Sequence, residues 1–160
     1  MTFGKTHDGG RDIKSAFAGY SSATAGSTGD ATEVDGPYID RKDADGGMAM
    51  WAKLVITYRT VLAATKTLSV AANLQDDADG QGAGNDYGDA LAATVQATGE
   101  SGGSTETGTV ELDFDLAGAE RYIRAQFTPD LNAANTDTAI LTATLILGGF
   151  QYNPVSGAQN

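Results

Sequence analysis

His7 is the one imidazole in the chain, and there is no cysteine. This removes thiol nucleophiles, disulfides, thiolate metal sites and any site built on two imidazoles. His7 lies in a polar terminal stretch, whereas a general base must be held within hydrogen-bond reach of its proton. It is not expected to be catalytic. Oxygen ligands are more plentiful. Asp76-Asp77-Ala78-Asp79-Gly80 has the composition of a calcium loop, since a hard cation needs several oxygens from one tight turn. The spacing fails. With Gly80 at the invariant glycine position, Gln75 takes the first ligand place and Asp86 stands where Glu belongs. Asp43-Ala44-Asp45-Gly46 fails likewise, with Arg41 first and Ala52 last. Gly82-Ala83-Gly84-Asn85-Asp86 is a single copy of a unit that binds calcium only in tandem. These read as solvated acidic loops, and no metal is expected.

Two carboxylates at fixed separation can hydrolyse a glycosidic bond. Asp113 and Asp115 lie about 7 Å apart on one face of a strand. The same alternation is the ordinary solvent face of a sandwich strand, so no hydrolase is expected from it. There is no Gly-x-Ser-x-Gly elbow, no phosphate loop and no complete dinucleotide fingerprint, because Tyr87 stands where the third glycine belongs. Trp51, Tyr58, Tyr87 and Tyr122 are candidates for an aromatic platform that holds sugar, although a Trp opening a strand more often packs at a core edge. The residues thus predict neither an enzyme nor a cofactor.

Charge limits the partners. The 160 residues carry 10 Lys+Arg against 21 Asp+Glu, a net charge of -11. Nucleic acid binding through phosphates needs clustered Lys and Arg, and an anionic membrane surface needs the same; neither partner is expected. The first fourteen residues balance at +1, leaving -12 for the rest. A mildly basic arm on an acidic body suits a partner surface, and a frayed terminus is the ordinary alternative. The polar start lacks the apolar run of a signal peptide, and no stretch approaches 18 apolar residues. Cytoplasmic synthesis and no membrane span are expected.

The elements that must hold these residues are strands. Residues 1–31 scatter Phe3, Ile13, Phe17 and Tyr20 through small residues, and 19–31 is low in complexity; an extended N-terminal arm is expected there. Period-two patterning starts near residue 32. Short extended pieces at Thr32–Val34 and Tyr38–Asp40 flank a Gly36-Pro37 turn. Ala49 to Leu62 sets Trp51, Lys53, Val55, Thr57 and Arg59 on one side, with Leu54, Ile56 and Tyr58 on the other. Lys66 to Gln75, Val110 to Asp115, Arg121 to Phe127 and Thr138 to Phe150 alternate as strands. Leu91 to Thr98 reads as a strand or a short helix. Residues 76–90, 100–106 and 129–137 read as loops, and 152–160 as a polar tail. Seven or eight short strands with Gly- and Asp-rich turns predict an all-β antiparallel β-sandwich, jelly-roll or immunoglobulin-like, over 32–151.

Glu120-Arg121-Tyr122-Ile123-Arg124-Ala125-Gln126-Phe127, followed after a polar loop by Thr138-Ala139-Ile140-Leu141-Thr142-Ala143-Thr144-Leu145-Ile146-Leu147-Gly148-Gly149-Phe150, resembles the last two strands of small capsid cement (decoration) proteins of tailed bacteriophages. Leu68-Ser69-Val70-Ala71-Ala72-Asn73-Leu74-Gln75-Asp76 is similar to an earlier strand of that family. The resemblance covers roughly 49–151; segment 1–31 and the insert 76–90 depart from the family pattern. It implies a jelly roll that trimerises on the outer capsid surface of the virion and clamps neighbouring subunits of the major capsid protein, without catalysis. Under that reading Phe3, Ile13 and Phe17 are candidate capsid anchors, and Lys5, Arg11 and Lys14 steer the arm. The alternative is a tail- or fibre-associated β-sandwich module that recognises carbohydrate, with Trp51 as its test.

Overall fold

The computed structural model describes residues 12–44, 47–132 and 136–150. Among these residues nine strands form: β1 (Ile13–Thr24), β2 (Val34–Asp35), β3 (Ile39–Asp40), β4 (Trp51–Leu62), β5 (Thr67–Asp77), β6 (Asn85–Thr98), β7 (Ser104–Asp115), β8 (Tyr122–Leu131) and β9 (Thr138–Gly148). The first sheet runs β1-β9-β4-β7, and the second runs β2-β8-β5-β6 with β3 also on β8. The antiparallel pairs nest. β1 meets β9, β2 and β3 meet β8, β4 meets β7 and β5 meets β6. The chain is therefore one long hairpin with its tip between β5 and β6, rolled so that successive pairs fall in opposite sheets. That is jelly-roll connectivity, and it decides against the immunoglobulin order that the strand pattern left open.

Alternation builds the core. β4 turns Leu54, Ile56 and Leu62 inward, and β9 turns Leu141, Leu145 and Leu147 inward. They meet Leu68, Val70 and Leu74 of β5 and Ile123 and Phe127 of β8, all at most 1% exposed. Side chains from the two inner faces interdigitate across the roughly 10 Å layer of such sandwiches.

Four expectations need correction. The arm expected over 1–31 is, from Ile13 to Thr24, a strand of the first sheet in register with β9. Its buried positions are small, Ala18, Gly19, Ser21 and Ala23, and a bulge between Phe17 and Gly19 breaks the period. A β-carbon at Gly19 would sit 2.7 Å from Phe127 Cε1, so the core leaves room for nothing larger. The loop expected over 76–90 shrinks to 78–84, because β5 continues through Asp77 and β6 begins at Asn85. β6 is an edge strand with irregular register, which tolerates Gly and Asp and hides alternation. Leu91 to Thr98 belongs to it and is strand, not helix. The loops expected at 100–106 and 129–137 are shorter too, since β7 starts at Ser104 and β8 runs to Leu131.

Candidate functional site

The two outer faces of the sandwich differ in chemistry. On the second sheet, polar side chains bond to one another. Asn73 donates to Asp86 (2.9 Å) and Gln126 (3.0 Å), Gln75 donates to Asp86 (3.0 Å), and Gln126 donates to Glu33 (3.1 Å). Arg124 donates twice to Gln75 and stacks 4.9 Å from the centre of the Tyr38 ring. A self-satisfied polar face is an ordinary solvent surface.

The outer face of the first sheet is not of that kind. Cross-strand register sets Ile13, Gly148, Trp51 and Asp115 in one row and Ser15, Ile146, Lys53 and Asp113 in the next. Phe17, Thr144, Val55 and Glu111 form a third row, and Tyr20, Thr142, Thr57 and Thr109 a fourth. The half built from β1 and β9 carries no charged side chain on this face. It exposes Phe17 (59%), Tyr20 (54%), Ile140 (44%) and Ile13 (37%). Large exposed apolar groups gathered on one face of a strongly acidic chain make that face the candidate interaction surface.

Trp51 occupies one end of this face, 40% exposed. Its indole lies over the backbone of β9, where a β-carbon at Gly148 would come within 2.6 Å of Cε2 and one at Gly149 within 3.0 Å of Cδ1. The two glycines let the ring lie against the sheet. Met50, Trp51, Ala52, Asp113, Phe114 and Asp115 line an open cleft of about 470 Å³. Its walls are tied by backbone bonds, Met50 N–H to Gly148 C=O (2.9 Å) and Leu116 N–H to Met50 C=O (2.8 Å). Behind them lies Arg41, 6% exposed. Its guanidinium donates to the carbonyls of Ala49 (2.9 Å), Glu120 (2.7 Å), Leu116 and Ala119. Burial lowers its pKa, yet a guanidinium stays charged. Asp76 braces the same loop, accepting the Glu120 N–H at 2.8 Å.

On the rim, Lys53 bridges Asp113 (2.9 Å) and Glu111 (3.0 Å). These two carboxylates, Asp113 first, raise the lysine pKa and keep it an ammonium. Asp115 accepts the Ala117 N–H at 2.9 Å. In the acidic loop Asp77 accepts the N–H groups of Asp79 and Gly80, which holds its carboxyl below its ordinary pKa. Asp76 points inward and Asp77 into its own loop, so the acidic run does not converge. Among the described residues no three metal-ligating side chains come together.

Of the sequence candidates, Phe3, Lys5 and Arg11 lie outside the described residues. Ile13 and Phe17 share the outer face of β1, while Lys14 turns back to the Asp40 carbonyl at 3.4 Å. The four aromatics considered as one platform are not brought together. The Tyr58 hydroxyl bonds Gln96 C=O (2.8 Å) and that of Tyr87 bonds Asp115 C=O (2.7 Å). Tyr122 lies on β8 of the other sheet, beneath Arg121. The sequence already sets Ile140 and Ile146 on a second face of β9, where a solvent face would be polar throughout, and Tyr20 among the scattered aromatics of the N-terminal segment. Sequence reasoning missed Met50, which lines the Trp51 cleft.

No family model matches the chain, and no curated protein matches it. Similar solved structures include the infectious bursal disease virus Gx strain, at 9% identity and TM-score 0.41, covering 88% of this chain and 34% of that one. T=1 particles derived from infectious bursal virus give 8% identity and TM-score 0.44, covering 89% and 32%. The enzymatically active domain of bacteriophage CBA120 tailspike protein 4 gives 9% and 0.40, covering 86% and 20%. The chain spans about a third of the length of the two particle chains and a fifth of the tailspike chain.

Proposed function

We propose that this is a structural protein of a tailed-phage virion, a capsid cement protein that binds the outer shell as a homotrimer and holds neighbouring major capsid subunits together. The observation that carries the reading is the uncharged outer half-face of the first sheet, with Ile13, Phe17, Tyr20 and Ile140 displayed on paired strands. Aromatic and aliphatic groups on a rigid sheet lose little conformational entropy on docking. The acidic remainder of the surface keeps neighbouring trimers on a crowded shell from aggregating. Many copies on one shell turn modest contacts into firm attachment through avidity. The resemblance of β5, β8 and β9 to the cement family supports the same reading. No step of this function needs a reacting side chain.

The test is to mix purified protein with expanded shells of its phage and, separately, with free coat subunits. Sedimentation is expected to show a trimer, alone or on the shell, and binding to expanded shells only. Phe17→Ser and Tyr20→Ser together are expected to weaken shell binding at least tenfold with the fold intact. A strict monomer with no affinity for shells overturns the reading.

A further inference from the structure

We propose that the cleft at the Trp51 end of the first sheet is a binding site for a neutral saccharide. The site goes beyond shell attachment and does not depend on it. Trp51 presents an indole, one side of which lies over Gly148 and Gly149, and the residue as a whole is 40% exposed. A pyranose has an apolar face of C–H groups, and a ring held in this way gives it a large, rigid, amphipathic surface. Beside the ring stand Asp113 and Asp115, opposite Lys53 and Trp51 in the β4–β7 register. Each carboxylate has more lone-pair sites than its protein partners use, since Asp113 meets Lys53 and Asp115 accepts one backbone N–H. Adjacent sugar hydroxyls can donate to them, and the Lys53 ammonium supplies a donor in return.

An apolar platform with a few fixed polar groups is the usual construction of a small-ligand site. The platform and the acids stand on paired strands, and Arg41 and the Met50 backbone bonds fix the walls, so little ordering is left for the ligand to impose. Two carboxylates on a chain of net charge -11 reject uronic and sialic acids, which selects neutral sugars.

Trp51 is the sole tryptophan among six tyrosines, so emission excited beyond the tyrosine absorption band reports on this site. The full-length protein is applied to an array of neutral glucans, galactans and mannans beside uronic-acid and sialylated glycans. The strongest neutral oligosaccharide is then titrated while Trp51 emission is followed. Binding of neutral glycans with a saturable emission change is expected. Trp51→Ala, read by calorimetry, is expected to lose about tenfold or more in affinity, and Trp51→Phe to keep part of it. Gly148→Ala displaces the ring without removing it and is expected to weaken glycan binding similarly. Three results each overturn the proposal: no neutral glycan bound at millimolar concentration, a preference for acidic glycans, or a Trp51→Ala affinity equal to that of the parent.

Discussion

Arg41 shows how much one buried side chain can organise. Its guanidinium gathers four carbonyls from the segments on either side of the Trp51 cleft. Removing it leaves those acceptors buried without a donor, at a cost of about 1–3 kcal/mol for each one that water does not reach. Arg41→Ala is expected to lower stability in urea by about 3 kcal/mol or more, and to loosen the Met50 and Leu116 walls. A loss under about 1 kcal/mol contradicts this account. Asp40 gives a smaller, pH-dependent term. Its two oxygens accept from Arg121 at 3.0 and 2.6 Å, and this pairing holds its carboxyl below its ordinary pKa. The folded state therefore takes up its proton at lower pH than the unfolded chain. The contribution is complete above about pH 4 and is lost as pH falls through the folded value. The pair is partly exposed, at 46% and 33%, so the term is about 0.5 kcal/mol or less. Asp40→Asn is expected to flatten the stability profile between pH 4 and 2 relative to the parent.

At the scale of elements, β1 is the informative one. An arm could be removed without touching the sandwich, whereas a strand cannot. Deleting residues 1–24 would bare the β9 edge and uncover the core beside Ala139, Leu141 and Ala143. An exposed hydrophobic edge is a template for aggregation. The truncated chain is expected to lose its cooperative thermal transition or to aggregate; a melting temperature within a few degrees of the parent shows that β1 is dispensable. β4, β5, β7 and β9 were legible because large aliphatic residues recur at every second position. β1 was not, because its inward positions are Ala, Gly and Ser and its large residues point outward. β6 was not, because an irregular edge strand buries little on either side.

Across the whole molecule the acidic surplus acts against compactness. A net charge of -11 on one small sandwich repels itself, and salt screens that repulsion over about 10 Å at 0.1 M. The melting temperature is expected to rise by a few degrees between 10 and 300 mM NaCl. A fall would mean that the Lys53 and Arg121 ion pairs outweigh the repulsion. The rolled hairpin also joins β1 to β9, the two ends of the sandwich in sequence. Such distant pairing makes refolding slow, in the millisecond-to-second range or slower.

By itself the sequence determined the class of structure, all-β with alternating faces. It also bounded the chemistry through one imidazole, no thiol and an excess of acid. Those are properties of composition and of neighbours along the chain. It left open whether the strands join as a jelly roll, because connectivity depends on pairing between residues far apart. The candidate site depends on that pairing too. Trp51 is a surface tryptophan in any sandwich. It becomes one wall of a cleft because β7 brings Asp113 and Asp115 alongside and β9 brings Gly148 beneath the ring. Local pattern encodes which way each side chain faces, and only the packed sheets decide which side chains stand next to one another.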